Sequence, residues 1–143
     1  MNQIKPLQHF IEQGIVKKQN PDLSRSEFLR TEVASSFRSL QKRIKIIGFD
    51  ADSINSIIKD CYDIIMELIR SEMLLEGLHA VGNGAHEAEV AYLREKHFSE
   101  EDVQFLNDLR YFRNGIIYYG KILSEDYAKK VFVFIEKMYE LLQ

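Results

Sequence analysis

From Ile54 to Glu76 the chain contains neither proline nor glycine, and its apolar residues recur at Ile54, Ile57, Ile58, Cys61, Ile64, Ile65, Leu68 and Ile69. Steps of three and four residues collect these side chains on one side of an α-helix. The run predicts the longest helix of the chain, opening near Asp52 or Ser53 and ending between Gly77 and Gly82. Two prolines and seven glycines in 143 residues leave room for other long elements.

The same reading extends to both ends. Ile4, Leu7, Ile11 and Ile15 predict a first helix from about Asn2 to Lys18, broken by Asn20-Pro21. Ser24 and Glu27 have capping-box spacing and open a second helix, with Phe28, Val33, Phe37, Leu40, Ile44 and Ile47 as its stripe and Gly48 as its stop. Gly82-Asn83-Gly84 reads as a turn before a short fourth helix, about Ala85 to Lys96. Ser99, followed by Glu100, Glu101 and Asp102, caps a fifth helix running to about Tyr119 and Gly120. Ser124 caps a sixth, with Val131, Phe134, Ile135, Met138 and Leu141 inward. No stretch alternates apolar and polar residues long enough to predict a sheet. The expectation is an all-α fold, an antiparallel bundle of five to six helices forming one domain over residues 1–143.

Composition narrows the function classes. At 45% hydrophobic residues the chain is globular, and nothing approaches the ~18 apolar residues of a membrane span. The mixed residues from Met1 to Gly14 do not read as a signal peptide. A single cysteine, Cys61, can form no internal disulfide, which fits a cytoplasmic location. The net charge of -3 is uneven: Lys17 to Ile47 carries +5 and the remainder -8. That basic segment reads either as a phosphate-facing surface or as a solvated helix face paired with acids.

The fifth helix holds the most informative run, LRYFRNGIIYYG from Leu109 to Gly120. At about 100° per residue, Phe105, Leu109, Phe112 and Ile116 form its core stripe, and Arg113 projects onto the apolar side, close to Leu106. A guanidinium keeps its charge, so a buried one needs a carboxylate, a ring of carbonyls or an anionic ligand. Arg110, Asn114, Ile117 and Tyr118 form a mixed strip beside it, with Tyr111 further round. The strip offers apolar area with polar handles, from which a homodimer is expected.

Arg113 followed by Asn114, with Tyr118, Tyr119 and Gly120 at the end of the helix, resembles the signature of the HEPN superfamily (higher eukaryotes and prokaryotes nucleotide-binding). There an arginine, followed by a polar residue, is separated from a histidine by four to six intervening positions. Tyr118 stands where that histidine is expected, as in a prokaryotic branch with tyrosines in its place. The resemblance spans roughly Ile54 to Leu142. It implies a dimer with a cleft between signature helices, RNA or a nucleotide-type anion as ligand, and a small nucleotidyltransferase as partner in a toxin–antitoxin-like pair. Its ligand-binding residues would be Arg110, Arg113, Asn114, Tyr118 and Tyr119. Many relatives are metal-independent endoribonucleases; in that alternative Arg113, Asn114 and Tyr118 would be catalytic. A tyrosine with a pKa near 10 is a poorer base at neutral pH than histidine by roughly 4 kcal/mol, so binding survives the replacement better than cleavage. The remaining alternative is a structural, dimeric interaction protein whose Arg113 makes a salt bridge.

Other groupings carry less. Glu76 and His79 have the spacing of a di-iron ligand pair, but no second Glu-x-x-His exists, so no metal and no cofactor is expected. Residues 82–84 lack the strand and the lysine of a phosphate-binding loop. His86, at a helix start, reads first as a local hydrogen-bonding residue, and Cys61 as core. Tyr111, Tyr118 and Tyr119 serve packing and base stacking equally well.

Overall fold

The structure, a computed structural model, describes residues 3–120 and 122–142, and the backbone alone of residues 117–119. Among the described residues there are six helices: α1 (Leu7–Glu12), α2 (Leu23–Ile47), α3 (Ile54–Leu75), α4 (Ala85–Tyr92), α5 (Glu100–Tyr119) and α6 (Glu125–Leu142). A 3-10 turn, Leu93–Lys96, continues α4, and two short strands, β1 (Val16–Lys18) and β2 (Leu78–Ala80), pair antiparallel. The architecture is a helical bundle.

Helix α3 is its axis, although α2, with 25 residues against 22, and not α3 as expected, is the longest. It is buried on nearly every side, including Ile58, Cys61, Ile65 and Ile69 at zero exposure, and it contacts α2, α4, α5 and α6. A helix apolar around most of its circumference belongs inside a bundle. Ser26 on α2 bonds the Ser71 carbonyl near the end of α3, whereas Arg43 meets Asp60 near its start, so the two helices run antiparallel. Phe105 stacks on Phe134 and Phe112 meets Tyr127 edge-on, which sets α5 antiparallel to α6. The buried side chains of all six helices and of β1 form one cluster.

Several expectations need correction. The first helix ends at Glu12; Gly14 turns the chain, and Val16–Lys18 becomes a strand against Leu78–Ala80. Ile4 and Leu7 are buried and Ile11 and Ile15 pack on the core, so the apolar residues point inward without sharing one helix. Three paired residues are too few to show an alternation, and their partner lies across α2 and α3 in sequence. Gly77 makes this junction possible. Its φ is +72°, its carbonyl accepts from the Gln19 amide, and a Cβ there would lie 2.1 Å from the Gln19 carbonyl oxygen.

Asp22, not Ser24, caps α2, its carboxylate accepting from the Arg25 amide at 3.0 Å. Phe28 and Ile47 leave the stripe and are exposed at 63% and 54%. Phe28 projects about half a turn from Phe37 and cannot share its face. On α6, Leu142 is buried in place of Leu141, because it continues the Ala128, Val131, Ile135 and Met138 face. The caps at Ser99 and Ser124 form as expected, each hydroxyl accepting the amide three residues on. No helix of the described residues is long and apolar enough to cross a membrane.

Candidate anion-binding cleft

Helix α5 reaches the cleft because its buried face, Val103, Leu106 and Leu109, is clamped into the core. Arg110, Arg113 and Asn114 then fall on the flank that faces the N-terminus of α4. Across from them stand residues 82–84 and the first turn of α4, with His86 and Glu87. The space between is about 260 Å³ and opens to solvent. Gly84 sits there at φ +88°, a left-handed turn that brings the loop round into α4.

Arg113 is partly buried. Its guanidinium lies 5.4 Å from the centroid of the Tyr62 ring on α3, and one Nη contacts the Asp63 carboxylate at 3.3 Å. Its Nε is buried and has no hydrogen-bond partner among the described residues. The Asp63 side chain is 55% exposed, so a single contact across this rim is screened and worth about 0–1 kcal/mol. Arg110 is held more firmly. Its Nε and one Nη both donate to Asn107 Oδ1, at 3.2 and 3.1 Å, and Asn107 is itself buried. The guanidinium also lies over the Tyr111 ring, and its acidic neighbour, Glu87, is 3.7 Å away and well exposed. A neutral amide thus orients Arg110 while leaving its charge in place.

Arg70 shows what a structural arginine looks like in the same protein. Its Nε and Nη2 bond both oxygens of Glu89, at 2.6 and 3.2 Å, and the Glu89 side chain is almost completely buried. Burial raises the Glu89 pKa against the lowering effect of Arg70. Arg113 has neither the two-point bond nor the buried acid.

His86 completes the cleft. Its Nδ1 lies 3.1 Å from the Tyr62 hydroxyl, a contact between α4 and α3 and not a local one as its helix-start position implied. Its pKa is lowered by partial burial and by the nearby charges of Arg70, Arg113 and Arg110, with Asp63 opposing. Burial pushes the Tyr62 hydroxyl up to about 12.

Of the residues predicted from sequence, Arg110, Arg113 and Asn114 share the cleft, whereas the side chains of Tyr118 and Tyr119 lie outside the described residues. Sequence reasoning missed Tyr62, Asp63 and Asn107 and undervalued His86. Tyr62 and Asp63 sit on α3 with no local pattern pointing to Arg113; the Asn107–Arg110 spacing of one helical turn was the available signal.

The remaining candidates are structural. Cys61 is fully buried, and burial raises its thiol pKa, which makes it a core side chain and no nucleophile. Glu76 accepts from the Tyr92 hydroxyl and pairs with Lys96. Among the described residues no three His, Cys, Asp or Glu side chains gather as metal ligands. Within the basic segment, Arg30 pairs with Glu72 and Arg43 with Asp60, while Arg38, Lys42 and Lys45 stand exposed on α2. No family model, curated protein or solved structure matches the chain.

Proposed function

We propose that this chain is a HEPN-like helical module that binds RNA or a nucleotide-type anion through Arg113, with Arg110 and Asn114 completing the site. One observation supports this reading above the others. Arg113 keeps a buried Nε without a partner among the described residues, beside an open cleft, and its acidic contact is a single bond to an exposed carboxylate. A phosphate offers several acceptor oxygens to such a fork and can displace Asp63 from it. The residue pattern resembling the HEPN signature supplies the ligand class, and from the same source come the proposals of a homodimer and of a nucleotidyltransferase partner.

The test is anisotropy of a labelled mixed-sequence oligoribonucleotide at low salt and without divalent metal. Arg113→Ala is expected to weaken binding about tenfold or more, the usual cost of losing charge-assisted hydrogen bonds, while circular dichroism stays helical. Asp63→Asn is expected to tighten binding a few-fold, because it removes the competing carboxylate. Equal affinity in wild type and Arg113→Ala would overturn the proposal. Metal-independent cutting of the same RNA, lost in Arg113→Ala, would assign the cleft to the endoribonuclease alternative.

A further inference from the structure

We infer that His86 is a third anion ligand of this cleft, held by Tyr62 as a neutral imidazole whose proton sits on Nε2. The inference rests on the anion-binding reading of Arg113 and adds to it a residue outside the signature helix.

The Tyr62 hydroxyl anchors the ring. The residue is 1% exposed, and among the described residues its hydroxyl has no hydrogen-bond partner other than His86 Nδ1. A buried hydroxyl places its proton on an acceptor where one is present. Tyr62 remains protonated, since burial pushes it to about 12, so its O–H donates to Nδ1. An Nδ1 that accepts leaves the proton of a neutral imidazole on Nε2. Partial burial, and after it the charges of Arg70 on α3 and of Arg113 and Arg110 on α5 against Asp63 on α3, lowers the ring's pKa and so favours the neutral form. Glu87 and Glu89 of α4 are engaged with Arg110 and Arg70.

Nε2 is the ring nitrogen that Tyr62 does not hold, and His86 is an exposed residue lining the cleft. The cleft therefore offers an anion N–H donors from Arg113, Arg110 and His86. Tyr62 connects two of them, carrying Arg113 against its ring face and His86 on its hydroxyl. The arrangement also has a chemical consequence. With Nδ1 capped and Nε2 protonated, His86 has no free lone pair to take the proton of a ribose hydroxyl. It donates to a phosphate and does not activate a nucleophile.

The experiment uses the whole chain, labelled with 15N. Long-range 1H–15N correlation at a pH well above 6.5 is expected to show the His86 Nε2 as the protonated nitrogen, and inorganic phosphate or a short oligoribonucleotide is expected to shift that nitrogen. Tyr62→Phe, which keeps the core ring, should relax the tautomer toward a mixture. His86→Gln places an amide donor near the Nε2 position, His86→Asn near Nδ1. Affinity for the oligoribonucleotide should stay within a few-fold in the first and fall about tenfold in the second and in His86→Ala. A proton on Nδ1, an Nε2 unmoved by bound RNA, or equal losses in the Gln and Asn variants would overturn the inference while leaving the Arg113 reading intact. RNA and phosphate that leave both Arg113 and His86 unperturbed would remove both.

Discussion

Two arginines, Arg70 and Arg113, lie near the Tyr62–His86 pair and do different work. Arg70 is matched by Glu89 at two points and its partner is buried, so it ties α3 to α4. Among the described residues Arg113 has one loose acidic contact and an unpartnered Nε. The burial of charge is tolerated in the first case by pairing and, in the proposed reading, in the second by a visiting anion. His86 gives this field a measurable sign. Its folded pKa is lowered below 6.5, so the unfolded chain takes up the proton more readily. Its contribution to stability is fully present above the unfolded pKa and is lost as pH falls through 6.5 toward the lower folded value. The melting temperature is therefore expected to drop between about pH 7.5 and about pH 5.5 by more in wild type than in His86→Gln. Saturating phosphate should shrink that difference, because an anion beside the ring favours the imidazolium.

The helices were legible where their apolar period is sustained. Helices α3, α5 and α6 announced themselves through sustained three- and four-residue steps, and the serine caps at Ser99 and Ser124 set the starts of α5 and α6. The β1–β2 ribbon did not, since three residues display no period and their pairing partner is remote. Its formation depends on Gly77, where the chain turns back onto Gln19. Gly77→Ala adds both a left-handed backbone penalty and a Cβ 2.1 Å from a backbone oxygen that cannot step aside. It is expected to destabilise the protein by about 2 kcal/mol or more, lowering the melting temperature by roughly 5–10 °C. Gly14→Ala is the control. It has a similar φ of +74° but nothing within 4 Å of the added Cβ, so it should cost about 1 kcal/mol. Comparable losses in the two would contradict the crowding at Gly77.

At the scale of the whole molecule, one continuous core joins all six helices. The proposed homodimer belongs to this scale, because it needs the outer flank of α5, where Tyr111 is 41% exposed, to face a second copy. Sedimentation velocity at ~10–50 µM is expected to give a dimer. A monomer there would remove the homodimer and leave the Arg113 cleft standing as a site within one chain. What the sequence determined by itself was the helical architecture and an arginine on an apolar flank, since both follow from local periodicity and from a charge that cannot be shed. What only the tertiary structure decided was whether that arginine is neutralised and what stands beside it. Asp63, Tyr62 and His86 reach Arg113 through the packing of α3 and α4 against α5. Such packing is set by the sum of many burials across the chain, and no spacing within one helix encodes it.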